Sequence, residues 1–213
     1  MDISKQIIHL QRYMNKLIRF IFSLLSPRTK NPLAFYVKNG NVIIGANTIM
    51  DRLNIYIQTP IPNVPYVIIG DDCMLSGQIL IHGNNARVKV GNRVFMGDDS
   101  KIFCRESISL DDDIMISWGC TLIDTNAHSL HSAERKNDVT DWKKGPEFKN
   151  WDVVKSIPIH IKSQCWIGFN AIITKGVTLS EGTVLGSGSV LTKSTEPFGV
   201  YAGNPAKFIK QTD

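Results

Sequence analysis

The stretch IKSQCWIGFNAIITKGVTLSEGTVLGSGSVLTKSTE, from Ile161 to Glu196, divides into six blocks of six residues, and each block opens with Ile or Leu. An α-helix repeats about every 3.6 residues and a half-buried strand alternates every second residue, so neither explains the pattern. Six residues are enough for a short strand and a turn. The stretch therefore predicts a repeating unit of strand and corner.

The same block recurs upstream of this stretch. There the openers are Ile44, Ile69, Val90, Met96, Leu110 and Ile116. The fourth residue is Gly, Asn or Asp in nine of the twelve blocks, and these residues adopt a left-handed backbone at the least cost. The fourth positions are Asn47, Asp72, Arg93, Asp99, Asp113, Gly119, Gln164, Asn170, Gly176, Gly182, Gly188 and Ser194. A left-handed residue at this point of each block predicts a sharp corner.

Three such blocks, about 18 residues, would close one triangular coil, and successive coils would stack about 4.8 Å apart. The aliphatic opener would point into the prism, and the fifth residue, which is Cys73, Cys120 or Cys165 in three blocks, would pack beside it. The sequence therefore predicts an all-β fold, a parallel β-helix. The period does not fix the hand of the coil, although the crossover rule for parallel strands favours a right-handed one.

Composition narrows the function classes. The chain has 213 residues, 43% of them hydrophobic, and a net charge of +5. A basic chain can meet nucleic acid, an anionic membrane or an acidic small ligand. No Lys/Arg run with interleaved aromatics and no zinc-finger pattern is present, so we expect no nucleic-acid partner. The four cysteines form no CxxC pair, so we expect buried free thiols, no metal site and a cytoplasmic location.

Residues 1–30 predict an N-terminal amphipathic helix, which Pro27 and Pro32 would end. Its apolar side chains follow helical spacing at Ile7, Leu10, Met14, Ile18, Ile21 and Leu25. The apolar run Leu17–Leu25 is too short to span a bilayer, and no small-residue cleavage site follows it. The helix would either cap the core or rest on an anionic membrane through residues 1–25.

The repeat stops between Leu122 and Ile161. The interruption is polar, and we expect a protruding loop at about residues 129–157 within a β-helix domain of residues 31–213. Long insertions in a regular scaffold are usually functional. His128 and His131 lie in this segment, and His160 lies at its end.

Several short segments carry a family resemblance. AHSLHSAER (127–135) resembles a segment of the maltose and galactoside acetyltransferases, although Ser129 and His131 replace a proline and an acidic residue of that family. DTNAH (124–128) is similar to a cluster in capsule and lipopolysaccharide O-acetyltransferases. CWIGFNAIITKGVTL, GSGSVLTK and AGNPAKFIK resemble the part of the family that binds acetyl-coenzyme A. Over residues 42–210 the chain thus resembles the hexapeptide-repeat acyltransferases.

The resemblance implies a left-handed β-helix, a homotrimer with active sites between subunits, and acetyl-CoA as co-substrate with no metal. The implied reaction is direct transfer of an acetyl group to a sugar hydroxyl, in a surface polysaccharide or its precursor. His128 takes the position of the catalytic general base, a task that suits histidine because it titrates near neutrality. Asp124 is the candidate to orient its ring. Trp166 would lie beside the thioester, or would pack against a neighbouring subunit.

The remaining site residues follow from the same resemblance. Coenzyme A would contact Trp166, Gly168, Gly186, Ser187, Thr192, Lys193 and Lys207. The acceptor would contact Asn126, Arg135 and Trp142. Arg135 could instead form a local ion pair with Glu134, and Trp142 with Trp151 could pin the loop to a neighbouring subunit.

Other functions stay open. The same base would serve N-acetylation of an amino sugar or acetylation of an antibiotic. A zinc hydratase on this fold would need three converging histidines, for which His128, His131 and His160 are the candidates. A scaffold without catalysis is the remaining alternative.

Overall fold

A computed structural model describes residues 32–145 and 148–212. The amphipathic helix predicted for residues 1–30, with its proposed membrane contact, lies outside the described residues. The described chain winds into a three-sided prism of parallel strands with about seven turns. The predicted all-β coil is therefore confirmed.

Face I of the prism is a sheet of six parallel strands. In spatial order they are β1 (Val42–Ile44), β3 (Val67–Ile69), β5 (Arg87–Val90), β8 (Ser107–Leu110), β11 (Ile159–Ile161) and β14 (Thr178–Leu179). Each strand pairs with the strand one coil away in exact register; for example, Val67, Ile68 and Ile69 lie opposite Val42, Ile43 and Ile44.

Faces II and III are joined by two longer strands, β2 (Ile49–Ile57) and β4 (Met74–Ile81), which continue round the corner between them. Face II adds β6 (Phe95–Met96), β9 (Met115–Ile116), β12 (Trp166–Ile167), β15 (Val184–Leu185) and β17 (Gly199–Gly203). Face III adds β7 (Lys101–Cys104), β10 (Thr121–Ile123), β13 (Ile172–Thr174) and β16 (Val190–Leu191). The last strand, β18 (Ala206–Gln211), turns back antiparallel to β17.

The predicted openers form the core. Eleven of the twelve are buried, and Ile44 is partly exposed. Burying one such side chain contributes about 1.5–3 kcal/mol, and here each stacks on its counterpart one coil away. Eleven of the twelve fifth residues are buried beside them, Thr48 is half-buried, and all four cysteines are buried and free.

The corners behave as the fourth residues predict. Eleven of the twelve have a positive φ, and Ser194 is the exception. Side chains also stack from coil to coil at the corner between faces I and II. The backbone N–H of Ala46 donates to Asp71 (2.7 Å), that of Asp71 to Asn92 (2.9 Å), and that of Asn92 to Asp112 (2.8 Å). The ladder gives partners to backbone donors that the sharp turn removes from the sheets.

Three helices accompany the coil within residues 32–145 and 148–212. The first, α1 (Pro32–Lys38), packs at the N-terminal end, where the hydroxyl of the buried Tyr36 accepts a hydrogen bond from the N–H of Ile57 (3.3 Å). Pro32 begins this helix, and proline suits the first helical position. Among residues 32–145 and 148–212, no helix is long and apolar enough to cross a membrane.

The interruption of the repeat leaves face III after β10 and returns at β11 on face I, so it spans residues 124–158. It contains two short helices, α2 (Ser132–Arg135) and α3 (Asp138–Lys144). This segment, the catalytic loop candidate, is called the 124–158 loop below. It stands at the corner between faces III and I.

Candidate active site

A tight turn at the start of the 124–158 loop presents His128. Thr125 forms an antiparallel bridge with Ser156, and its hydroxyl accepts a hydrogen bond from the N–H of Ala127 (3.2 Å). Ala127 has a φ of 59°, a conformation that costs a residue with a Cβ about 1–2 kcal/mol. Such a cost persists only where the surroundings hold the chain in place, and functional sites are where it collects. The turn leaves the His128 side chain 46% exposed.

The His128 ring is bound to an acid from the same loop. Its Nδ1 forms a hydrogen bond with the Oδ2 of Asp138, at the start of α3. A carboxylate can only accept, so this bond places the proton on Nδ1 and leaves the lone pair on Nε2 free. The hydrogen bond from His128 has the largest effect and lowers the pKa of Asp138; burial opposes it less strongly, and the hydrogen bond from Lys149 adds a smaller lowering. Asp138 therefore stays ionised and fixes both the ring and its tautomer.

Lys149 is the third member of this network. Its Nζ lies 3.0 Å from the Asp138 Oδ2 and 3.1 Å from the His128 Nδ1. The same Nζ lies 5.2 Å from the ring centroid of Trp142 and 4.9 Å from that of Trp151, both within cation–π distance. The side chain of Lys149 has no exposed surface. A buried ammonium, a carboxylate, an imidazole and two indoles thus form the polar core of the loop.

A cleft opens beside this network. It has a volume of about 270 Å³ and is lined by Tyr56, Gln58, His82, Trp142 and Trp151. Trp142 belongs to both features, because its ring centroid lies 6.3 Å from that of His128. Burial, followed by the charge of Arg105, lowers the pKa of His82, so this ring is neutral near pH 7. The cleft offers aromatic walls with a few polar groups, the usual make-up of a small-molecule site.

Asp124 has a different role from the predicted one, which was to orient the His128 ring. Its buried carboxylate accepts hydrogen bonds from the N–H groups of Arg105 (2.7 Å) and Glu106 (2.8 Å) and from the Cys104 thiol (3.4 Å). Burial raises the pKa of Asp124, and these bonds partly offset that effect. The carboxylate ties the start of the loop to the coil before it. The ring of His128 is held by Asp138 instead, which the sequence pattern did not indicate.

The residues predicted to contact the acceptor lie in different surroundings. Trp142 lines the cleft. Arg135 donates to the carbonyl of Ser129 (2.6 Å), and the Ser129 hydroxyl donates to Glu134, so Arg135 shapes the turn after His128. Asn126 is half-buried and its N–H donates to the Lys155 carbonyl (3.0 Å). Contact of Arg135 or Asn126 with a substrate stays a prediction.

The predicted coenzyme residues lie along the two edges of face III. Trp166 on β12 and the corner residues Gly168, Gly186 and Ser187 lie on the side of face II. Thr192 and Lys193 are exposed at the corner with face I, two coils, or about 10 Å, beyond the base of the 124–158 loop. Lys207 is exposed on β18.

Gly168 has a structural reason to be glycine. A Cβ there would come within 2.7 Å of the Ser187 N and 2.9 Å of the Leu185 O, so the coil above leaves it no room. At Gly188, by contrast, a Cβ would meet nothing within 4 Å, and the corner is open to a ligand. The glycine pattern therefore combines close packing of coils with an accessible backbone.

Trp166 belongs to a band of apolar side chains along the outside of face II. Ile49, Met74, Met115 and Trp166 are 50–57% exposed, and strand pairing places them one above another, with Phe95 between Met74 and Met115. The indole of Trp166 donates to the Ser117 hydroxyl (3.4 Å). An exposed apolar band of this length is typical of an interface.

The histidines do not converge. His160 on face I pairs with Asp111 (2.9 Å), while His128 pairs with Asp138. Within residues 32–145 and 148–212, no three His, Cys, Asp or Glu side chains are grouped as metal ligands. Burial raises the pKa of the Cys104, Cys120 and Cys165 thiols, to about 11 for Cys165, so these three thiols are poor nucleophiles.

Comparison with known proteins agrees with the repeat. The family model for the hexapeptide repeat of succinyl-transferase matches residues 158–193. A Staphylococcus aureus (strain COL) protein named as an acetyltransferase is 42% identical over 65 residues, 30% of this chain and 33% of that protein. The galactoside O-acetyltransferase of Escherichia coli (strain K12) is 29% identical over 130 residues, 61% of this chain and 56% of the enzyme. The aligned segments thus span about a third to about half of these relatives.

The fold also matches solved structures. A variant of AntD, an N-acyltransferase from Bacillus cereus in complex with dTDP and coenzyme A, superposes with a TM-score of 0.62 at 20% identity, over 84% of this chain and 89% of that one. The coil is thus left-handed, as the family resemblance implies and against the crossover rule, which concerns longer connections between strands of one sheet. Residues 158–193 thus match a hexapeptide repeat, and the chain has the left-handed parallel β-helix fold of the solved structures that it resembles.

Proposed function

We propose that this protein is an O-acetyltransferase that moves an acetyl group from acetyl-CoA to a sugar hydroxyl, in a surface polysaccharide or its precursor. The observation that carries the proposal is the His128–Asp138 pair. It leaves the His128 Nε2 free as a base next to Trp142, one wall of an aromatic cleft, in a fold shared with acyltransferases.

The reaction needs one base and no covalent intermediate on the protein. Nε2 of His128 removes the proton of the acceptor hydroxyl as its oxygen attacks the thioester carbonyl. The imidazolium that forms is stabilised by the carboxylate of Asp138. When the tetrahedral intermediate collapses, the C–S bond breaks, and the leaving thiolate takes the proton back as free coenzyme A. A positioned base of this kind is worth about 10²–10⁴ in rate.

The cleft suits a sugar acceptor. Tyr56 and Trp142 are half-exposed at its walls, and aromatic rings pack well against the apolar face of a sugar ring. Gln58 and the neutral His82 each offer a donor and an acceptor to hydroxyl groups. Trp142 lines the cleft, and its ring centroid lies 6.3 Å from that of His128, so a sugar held against this indole would lie near the base.

Coenzyme A would lie along face III, between the corner of Gly168, Gly186 and Ser187 and the corner of Thr192 and Lys193. The open backbone at Gly188 would accept the pantetheine arm. Lys193 and Lys207 are exposed cations at the C-terminal end, where they would meet the phosphates.

The acting form would be a homotrimer. Within one chain, His128 stands at the corner of faces III and I, whereas Trp166 stands on face II. The apolar band on face II would bind the neighbouring copy and bring that copy's 124–158 loop towards Trp166. The site would then be completed by two chains.

An amine acceptor is the second candidate, and the likeness to an N-acyltransferase supports it. The same base would accept a proton from an attacking amine. An amino sugar or an aminated antibiotic would then replace the hydroxyl acceptor.

A panel of sugars, amino sugars and oligosaccharides, incubated with acetyl-CoA, tests the proposal through release of free thiol. We expect turnover with hydroxyl sugars. In His128→Gln, turnover should fall at least about 10²-fold while coenzyme A binding stays within about twofold. His131→Gln, three residues away on the loop surface, is the matched control and should keep its activity. A His128→Gln variant with normal turnover would contradict the proposal.

A further inference from the structure

Lys149 is the least expected residue of the site. Its side chain has no exposed surface, although lysine is almost never fully buried unless paired. Its one hydrogen-bonded acid is Asp138, and the two indoles of Trp142 and Trp151 cover it. Burying an ammonium is costly even when it is paired, and a methionine of similar volume would fill the same space without that cost. A charge kept under such conditions calls for a role beyond packing.

The charged Nζ of Lys149 lies next to His128, the proposed base. The Lys149 Nζ is 3.1 Å from the same ring nitrogen of His128 that bonds to Asp138. Asp138 holds the ring but also attracts a second proton to it, because a carboxylate stabilises imidazolium. Lys149 opposes that attraction, because a nearby ammonium disfavours a positively charged ring. The two residues have opposite effects on the protonation of His128 while both restrain its position.

We infer that Lys149 is a positioning residue that holds Asp138 against His128 and opposes the uptake of a second proton by the ring. This inference rests on the proposed role of His128 as the general base. Without Lys149, the ring would keep its orienting acid but would take up a proton at a higher pH. The base would then be lost in weakly acidic medium.

The nearby charged residues Arg105 and Asp124 interact with groups other than the His128 ring, so they do not take over the effect of Lys149. The Arg105 guanidinium lies 5.0 Å from the centroid of the Trp151 ring, and its charge acts on His82. The carboxylate of Asp124 is occupied by backbone N–H groups and the Cys104 thiol. Among the residues that the structure describes, Asp138 and Lys149 are the charged groups within hydrogen-bond distance of the His128 ring.

The test compares Lys149→Met with Lys149→Arg over the pH range from about 5 to 9. In Lys149→Met, we expect the acidic limb of the kcat/KM profile to move to higher pH by about one unit or more, with activity recovered above it. Lys149→Arg keeps the charge, so its profile should stay near that of the wild type. Asp138→Asn should move the limb in the opposite direction and lower kcat. A purely structural role would lower activity equally at every pH and leave the limb in place.

An NMR titration of ¹³C-labelled histidine gives a second readout that needs no catalysis. The midpoint of the His128 ring signal should shift upward in Lys149→Met and downward in Asp138→Asn. An unmoved midpoint in Lys149→Met would overturn the inference. A shifted midpoint in a protein without acetyl transfer would instead refute the proposed function and leave the coupling of Lys149 to His128 standing. If Lys149→Met does not fold, Lys149→Gln replaces it in both measurements with the same expected shift, and an unmoved midpoint there overturns the inference.

Discussion

The coils and the 124–158 loop are stabilised by different kinds of interaction. In the coils, aliphatic side chains repeat every six residues, and the strands pair in exact register from one coil to the next. In the loop, α2 and α3 contain no buried residue, and order comes from Asp138, Lys149 and the aromatic rings around them. The coils obtain their stability from the burial of apolar surface, whereas the loop is held by a small number of specific polar contacts.

This difference separates stability from function. A coil can lose or gain an outward side chain with little effect, because its neighbours above and below hold the backbone. The loop has no such redundancy, so each member of its polar core affects the position of His128. Changes in the coils should therefore alter unfolding, and changes in the loop should alter catalysis first.

The largest expected effect on stability comes from an opener. Ile116 is fully buried, and Ile116→Ala should lower the free energy of unfolding by about 2–5 kcal/mol, through lost burial and the cavity left behind. Lys89→Ala, at an outward position on face I, should change it by less than about 0.5 kcal/mol. Denaturant unfolding followed by circular dichroism measures both.

In the loop, Trp142→Ala should raise the acceptor KM and leave this unfolding transition in place. A loss of several kcal/mol in the free energy of unfolding of Trp142→Ala would contradict the distinction between coil and loop.

A smaller effect is expected at two glycines of the coils. Gly168→Ala forces a Cβ against the backbone of Ser187 and Leu185, so it should cost about 1–3 kcal/mol. Gly188→Asn keeps a residue that tolerates the left-handed corner and meets open space, so it should be neutral to within about 0.5 kcal/mol. Equal costs at both positions would show that coil-to-coil packing does not explain the glycine at 168.

The smallest effect is an acid transition confined to the loop. The pKa of Asp138 is lowered by His128 and Lys149, so its contribution is present above the ordinary Asp value of about 4 and is lost as pH falls through the lowered pKa. Fluorescence of Trp142 and Trp151, in a background with Trp118→Phe and Trp166→Phe, should change below about pH 4. Far-UV circular dichroism should not change with it. Asp138→Asn should lack this step, and a step retained in that variant would assign it to another group.

Much of the fold could be predicted from the sequence because its rule is local and repeated. The opener, the small fifth residue and the left-handed fourth residue each occur often enough to be read without knowledge of the partners. Even Arg93 and Gln164, which are poor left-handed residues by type, take a positive φ because their place in the repeat requires it. The hand of the coil did not follow from the period and needed the family resemblance.

The site could be predicted only in part. The resemblance and the interruption of the repeat single out His128 and Trp142 as candidates, and their roles stay predictions. Asp138 and Lys149 carry no periodic pattern, and they meet His128 only because α3 and the segment after it fold back over the turn. The cleft joins them to Tyr56 and His82 from distant coils, a juxtaposition that no local stretch of sequence encodes. Asp124 was assigned to the ring by proximity in sequence, and its burial against the Arg105 backbone was not visible there.

In the proposed trimer the site is completed between two copies of the chain, with His128 from one and Trp166 from the other. Complementation between two variants tests this arrangement. The two variant proteins, His128→Gln and Trp166→Ala, are each expected to be inactive alone. They are mixed in equal amounts, unfolded and refolded together. Because a random trimer pairs an intact His128 with an intact neighbouring Trp166 at about one interface in four, activity should return to about a quarter of the wild-type value. A mixture as inactive as its two components would contradict the claim and place the whole site within one chain.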